Sequence, residues 1–298
     1  MPERPAPQPS QAVVEHQREL SIAGVDGVTL SGEEAGEGPA IVLLHGLTAS
    51  RRYVLHGSRA LARSGFRVIA YDARGHGRST PASGPRAYAY EQLAGDLSAV
   101  LDATGVERVL LAGVSMGSQT IVRFALEHPE RVAALAIITP AYDPTLARGD
   151  VDISGWDALA RGLREGGAEG FIGASHLERL PESLRGTVEK VLRQRMAAHE
   201  HPDAVADALE GVPRSRPFQE LEQLAEISVP TVVVASRDEA DPLHPLAVGE
   251  RYAGAIPGAE LRVEEAGPPI RSPLAWQGGQ VSRVIAELAA RAGHAPVD

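Results

Sequence analysis

Short runs of four or five apolar residues recur along the chain, and most are followed by a longer stretch whose apolar positions fall three and four apart. Runs of that length, rich in Val, Ile and Leu, predict strands buried on both faces, and the 3.6-residue spacing predicts helices that each turn one face to a sheet. Strands are expected at 41–44, 68–71, 109–112, 135–139, 231–235 and 261–264, preceded by an antiparallel pair around 20–23 and 27–31. Leu93, Leu97, Val100 and Leu101 make one apolar helix face, and Val281, Val284, Ile285 and Leu288 make another. Strands alternating with crossover helices place the fold in the α/β class.

Between about residues 142 and 224 the strand signal disappears. Helical spacing takes over, as in Leu184, Val188, Val191 and Leu192, broken by Pro181, Pro202, Pro213 and Pro217, with Trp156, Phe171 and Phe218 supplying scarce aromatics. The span 142–224 therefore reads as a helical insertion between two parts of one core, 19–141 and 225–298. Such an insertion over the strand ends would act as a cap, shaping a pocket and excluding water from it, the alternative being a helical pair that only shields the sheet. Residues 1–18 begin with Pro2, Pro5, Pro7 and Pro9 and lack the basic-then-apolar plan of a signal peptide, so a disordered arm is expected there.

Composition narrows the function classes. A chain of 298 residues, 43% of them hydrophobic, can bury a large core. Its net charge is −10, with 29 basic residues scattered among 39 acidic ones, which argues against nucleic acid or an anionic membrane as partner. The absence of cysteine removes disulfides, thiolate metal sites and a thiol nucleophile. No apolar run reaches about 18 residues, the length a membrane helix needs. The expectation is a cytoplasmic protein that works on a small molecule without cofactor or metal.

The chemistry is concentrated at Gly113-Val114-Ser115-Met116-Gly117, where an apolar strand run gives way to a helix-forming stretch that stops at Pro129. This is a nucleophile elbow. A serine at the tip of a tight strand-to-helix turn is exposed to substrate, and the glycines two residues either side leave room where a Cβ would clash. The following helix aims its first N–H groups at the same spot, where they stabilise negative charge developing on a substrate oxygen. The pattern points to acyl-transfer chemistry.

Four motifs in order extend this reading: Leu43-Leu44-His45-Gly46-Leu47-Thr48, then Tyr71-Asp72-Ala73-Arg74-Gly75-His76-Gly77-Arg78-Ser79, then the elbow, then Val229-Pro230-Thr231 leading a strand. Together they resemble the α/β-hydrolase fold family over roughly residues 20–290. The resemblance implies an eight-stranded, mostly parallel sheet flanked by helices, with the site at the C-terminal strand ends and the cap after the sixth strand. It implies Ser115 as nucleophile and the backbone N–H groups of Leu47 and Met116 as oxyanion donors. His45 and His76 are expected to brace their loops rather than act as bases. Serine at the elbow, where the haloalkane dehalogenase and epoxide hydrolase branches carry Asp, implies ester or related acyl hydrolysis, carbon–carbon bond hydrolysis included.

The family places its acid just beyond the strand at 231–235, with a proline four residues later. Asp238 with Pro242 and Asp241 with Pro245 both satisfy that spacing. Asp241 is favoured, because Asp-Pro followed by an apolar residue is the usual continuation; Asp238 is the alternative, and Asp143 an outside candidate. The histidine departs from the family. A Gly-His is called for after the last strand, yet the chain reads Glu265-Ala266-Gly267-Pro268-Pro269-Ile270-Arg271-Ser272-Pro273. His294, farther on, sits in a tail expected to fray. His244, three residues beyond Asp241, is the best substitute base, with His176, His199 and His201 of the insertion as further candidates. Two functions follow: a cofactor-free serine hydrolase using Ser115, Asp241 and His244, or a non-hydrolytic small-molecule-binding protein that has lost its base. Transfer of the acyl group to an acceptor other than water is not separated from hydrolysis by these residues.

Overall fold

The computed structural model of the protein describes residues 17–145, 153–237, 244–263 and 278–296. Eight strands form one sheet: β1 (Gln17–Ala23), β2 (Thr29–Ala35), β3 (Ala40–Leu44), β4 (Arg67–Tyr71), β5 (Val109–Val114), β6 (Val132–Ile138), β7 (Thr231–Ala235) and β8 (Glu260–Val263). Their spatial order is β1-β2-β4-β3-β5-β6-β7-β8, with β2 antiparallel to both its neighbours, β1 and β4, and the pairings among β3 to β8 all parallel. All eight lie where the apolar runs predict them, within a few residues at each end. At the start of β1, Gln17 and Arg18 pair with Ala35 and Glu34, so the strand begins two residues inside the expected arm. The reason is pairing: β2 extends to Ala35 and offers its partner a full row of backbone groups.

Every residue of β3, β6 and β7 is buried, which explains their uninterrupted apolar sequences. Alternate side chains feed two separate cores. Val42, Leu44, Val109, Leu111, Leu135, Ile137 and Val233 face one side, which is covered by α2 (Tyr90–Ala103), α3 (Met116–Glu127) and α7 (Leu246–Ala255). Ile41, Leu43, Leu110, Ala112, Ala136, Ile138 and Val234 face the other, covered by α1 (Ala60–Arg63) and α8 (Gly278–Arg291). In β6 the alternation slips once, so that Val132 and Leu135 share a face. The register against β5 shifts between Val109 and Leu110, leaving one extra residue on the β6 side.

Among the described residues three α-helices lie between β6 and β7: α4 (Ile153–Ala174), α5 (Glu182–Met196) and α6 (Pro202–Gly211). A third apolar cluster joins them to the sheet's C-terminal edge, where Ala160, Leu163, Phe171, Val205 and Leu209 meet Leu47, Tyr88, Leu93 and Met116. Tyr142, Phe218 and Leu224, at the ends of this span, pack with the first core instead. The tail expected to fray is docked. His294 donates from its backbone to Ala289 O, and its Nε2 lies 2.8 Å from the carbonyl of Ala40, at the far end of the sheet from Ser115. Among the described residues no helix is long and apolar enough to cross a membrane.

Candidate active site

The C-terminal ends of β3, β4, β5 and β6 run into one patch of loops. At its centre Ser115 has φ 51° and ψ −112°, a conformation that side-chain-bearing residues avoid and that costs about 1–3 kcal/mol. The surroundings impose it. Ser115 N–H donates to Ile138 O of β6 at 3.0 Å, and its own carbonyl accepts from Gln119 N–H and from Ser118 Oγ. The flanking glycines are required for a reason that can be measured. A Cβ at Gly113 would stand 2.3 Å from Gly117 O, and one at Gly117 would stand 2.4 Å from Leu44 O. Backbone packed that closely cannot admit a methyl group.

His244 ends the loop that leads into α7, and its Nε2 lies 2.9 Å from Ser115 Oγ. That is hydrogen-bonding distance between a hydroxyl and a base. Asp238 and Asp241 lie outside the described residues. Asp143 is buried but engaged elsewhere: Oδ1 accepts from Thr145 N–H and Oγ1, and Oδ2 pairs with Arg251 at 2.7 Å. Across the site, the turn at residues 46–49 is closed by Ala49 N–H donating to Gly46 O at 2.9 Å. Leu47 lies within this turn and Met116 opens α3, where the first N–H groups of a helix have no partner within it.

Among the described residues no other histidine is hydrogen-bonded to Ser115 Oγ. His45 is buried, and its Nε2 accepts from Ala73 N–H at 2.9 Å, so its proton sits on Nδ1 and is donated to Gly46 O at 2.8 Å. Burial, with neighbouring His76 adding to it, lowers its pKa to about 3 and keeps the ring neutral. His76 places Nδ1 2.9 Å from Arg74 O and Nε2 against Leu47 O, and the neutral ring donates to one of the two. Its pKa is also lowered by burial, against the pull of those two carbonyls. His199, between α5 and α6, accepts from Gly77 N–H at 2.9 Å and is held at a pKa of about 3 by burial and by His76. His176 pairs with exposed Glu178, and His201 stands at the N-cap position of α6 without a side-chain capping bond.

Two buried contacts that the linear sequence does not reveal hold these loops. Arg74, fully buried, makes a bidentate pair with Asp96 of α2 at 2.7 and 2.8 Å and donates to Ala87 O. Breaking such a pair by removing one partner typically costs about 3–5 kcal/mol, because the other charge is left buried. Tyr252 of α7 places its hydroxyl 2.7 Å from Gln119 Oε1 of α3 and 2.8 Å from Tyr142 O. That pin ties the helix preceded by His244 to the helix that Ser115 introduces. Neither pair carries a local sequence signal, since the partners lie 22 and 133 residues apart.

Residues 39–270 match the alpha/beta hydrolase fold family. The chain is 30% identical over 226 residues to the putative carbamate hydrolase RutD of Variovorax paradoxus, covering 76% of this chain and 82% of that protein. Similarity to epoxide hydrolase B of Mycobacterium tuberculosis is 38% identity over 119 residues. That match takes in 40% of this chain and only 33% of the relative's length. Among solved structures, a thermophilic esterase from Thermogutta terrifontis superposes with a TM-score of 0.74 at 26% identity, over 92% of this chain and 99% of the esterase.

Proposed function

Because the chain belongs to the α/β-hydrolase fold family, we propose that it hydrolyses an ester or related acyl bond of a small molecule through an acyl-enzyme on Ser115. The observation that carries this reading is the 2.9 Å contact between His244 Nε2 and Ser115 Oγ. A serine hydroxyl is a poor nucleophile unless a neighbouring base takes its proton, and His244 supplies an imidazole from the segment before α7 in a chain that lacks the family's usual histidine after the last strand. A binding protein that had lost its base would have no reason to keep an imidazole there.

In the proposed reaction Ser115 Oγ attacks the acyl carbon while its proton passes to His244 Nε2. The N–H groups of Leu47 and Met116 receive the developing oxyanion; one such donor is typically worth ~2.7–4 kcal/mol. His244 then protonates the departing alcohol or amine, and water, deprotonated by the same imidazole, releases the acid and restores Ser115. Asp241, or Asp238 in its place, would orient the imidazole from its other nitrogen. The cluster shared by Leu47, Met116, Ala160, Leu163, Val205 and Leu209 supports an apolar acyl or leaving group. Serine at the elbow supports an acyl substrate over an epoxide.

A fluorophosphonate tests the reading without knowledge of the substrate, since it modifies only an activated hydroxyl. Labelling mapped to Ser115, lost in Ser115→Ala and accompanied by turnover of short p-nitrophenyl esters, is the expected result. Absence of labelling in the folded wild type, with a small molecule still raising its melting temperature, would transfer the assignment to a binding protein.

A further inference from the structure

Three successive carbonyls of the turn that carries Leu47 are each met by a different imidazole. Gly46 O accepts from His45 Nδ1, Leu47 O lies against His76 Nε2, and Thr48 O is 3.3 Å from His199 Nε2. For His199 the tautomer follows from its other nitrogen. Nδ1 accepts from Gly77 N–H, so Nε2 carries the proton and donates to Thr48 O. The three rings lie side by side, with centroids 5.2 Å apart for His45 and His76 and 5.5 Å apart for His76 and His199. A trans peptide points its N–H opposite to its C=O. Gly46 O shares its peptide with the Leu47 N–H, so holding that carbonyl on His45 turns the Leu47 N–H the other way, while Thr48 O shares its peptide with the Ala49 N–H that closes the turn onto Gly46 O.

His45 and His76 belong to the loops after β3 and β4. His199 is different, because it comes from the connection between α5 and α6, within the span inserted between β6 and β7. Its ring is largely buried, and the next residue returns a bond, Glu200 N–H donating to Gly77 O at 2.9 Å. The segment between α5 and α6 thus holds the 72–79 loop through the His199 ring, the Glu200 N–H and the Glu200–Arg78 ion pair at 3.8 Å, and it reaches the turn at 46–49 through the His199 side chain.

We propose that His199 is a positioning residue, which through Thr48 O holds the turn that presents the Leu47 N–H to the oxyanion, so that seating of the inserted helices and completion of the oxyanion hole are one event. This rests on the hydrolase reading above. His199 takes no proton and touches no reacting atom; its effect is geometric. Displacement of a donor by about 1 Å can cost on the order of 100-fold in rate.

His199→Asn separates this role from simple docking. Its short amide can still accept from Gly77 N–H at the Nδ1 position but cannot extend to Thr48 O. His199→Gln, which reaches farther, can restore the donor. The Asn variant is expected to lose roughly 10- to 100-fold in kcat with KM changed little. A trifluoromethyl ketone that mimics the tetrahedral intermediate should lose affinity by the same factor, the acid product should not, and Gln should recover most of the loss. His199→Phe, which keeps a ring against His76, serves the same comparison if the Asn variant does not fold. Wild-type kcat in a folded variant would overturn the proposal, as would equal weakening of intermediate mimic and product. Were Ser115→Ala as active as wild type, the hydrolase reading itself would fall, and the two failures would be distinguishable.

Discussion

Ser115 and His244 meet at 2.9 Å, but they are held there by different kinds of structure. Ser115 is fixed by its own neighbourhood: two glycines within two residues of it, a strand behind, a helix ahead, and one bond to the adjacent strand. His244 belongs to no regular element, and one identified support is remote, the Tyr252 hydroxyl that ties α7 to Gln119 of α3 and to Tyr142. The serine is placed by a local motif that tolerates almost no change within itself. The histidine is placed by packing between segments more than a hundred residues apart, so distant substitutions can move it.

The most severe break in the comparison is removal of either partner. Ser115→Ala and His244→Ala are each expected to lower kcat by on the order of 10⁴-fold or more, and the double variant should be little worse than either single one. Steady-state hydrolysis of a p-nitrophenyl ester measures this. Loss under about tenfold in His244→Ala would show that the imidazole is not the base.

Gly117→Ala breaks the local side. Its methyl would press on Leu44 O, which is strand backbone and cannot yield, so the elbow must open. Expected are a stability loss of about 3 kcal/mol in urea unfolding and a fall in fluorophosphonate labelling well beyond tenfold. Wild-type stability and labelling would mean that the elbow is not set by this close approach.

The smallest effect belongs to the remote side. Tyr252→Phe removes a hydroxyl shared by two buried acceptors, at a cost of about 1–2 kcal/mol. With α7 loosened against α3, kcat should fall severalfold while the elbow stays intact, as seen by an unchanged affinity for the acid product. An effect on stability with none on kcat would remove Tyr252 from the positioning of His244.

Much of this was legible from the residues in order. The eight strands follow from apolar run length, because burial on both faces demands uninterrupted apolar sequence and burial on one demands alternation. The elbow follows from five residues, because the clash its glycines avoid is with backbone nearby. The match ended where contacts became long-range. Sequence spacing left Asp241 and Asp238 as rival acids, and both lie outside the described residues. His244 was a candidate by proximity to Asp241, yet only folding brings it to a serine 129 positions earlier.

What the chain determines by itself is therefore everything encoded within about one turn or one strand: element type, the strained serine, and the expectation that His45 and His76 brace their loops. Tertiary structure alone decided three other matters. Gln17 and Arg18 join a strand because β2 extends to meet them, and His294 docks on Ala40 instead of fraying. His199 closes on Thr48, 151 residues away, because the inserted helices settle there. Hydrogen bonds and packing act over a few ångströms regardless of separation along the chain, whereas periodicity and turn chemistry report only on neighbours, so contacts between remote segments leave no trace in local pattern.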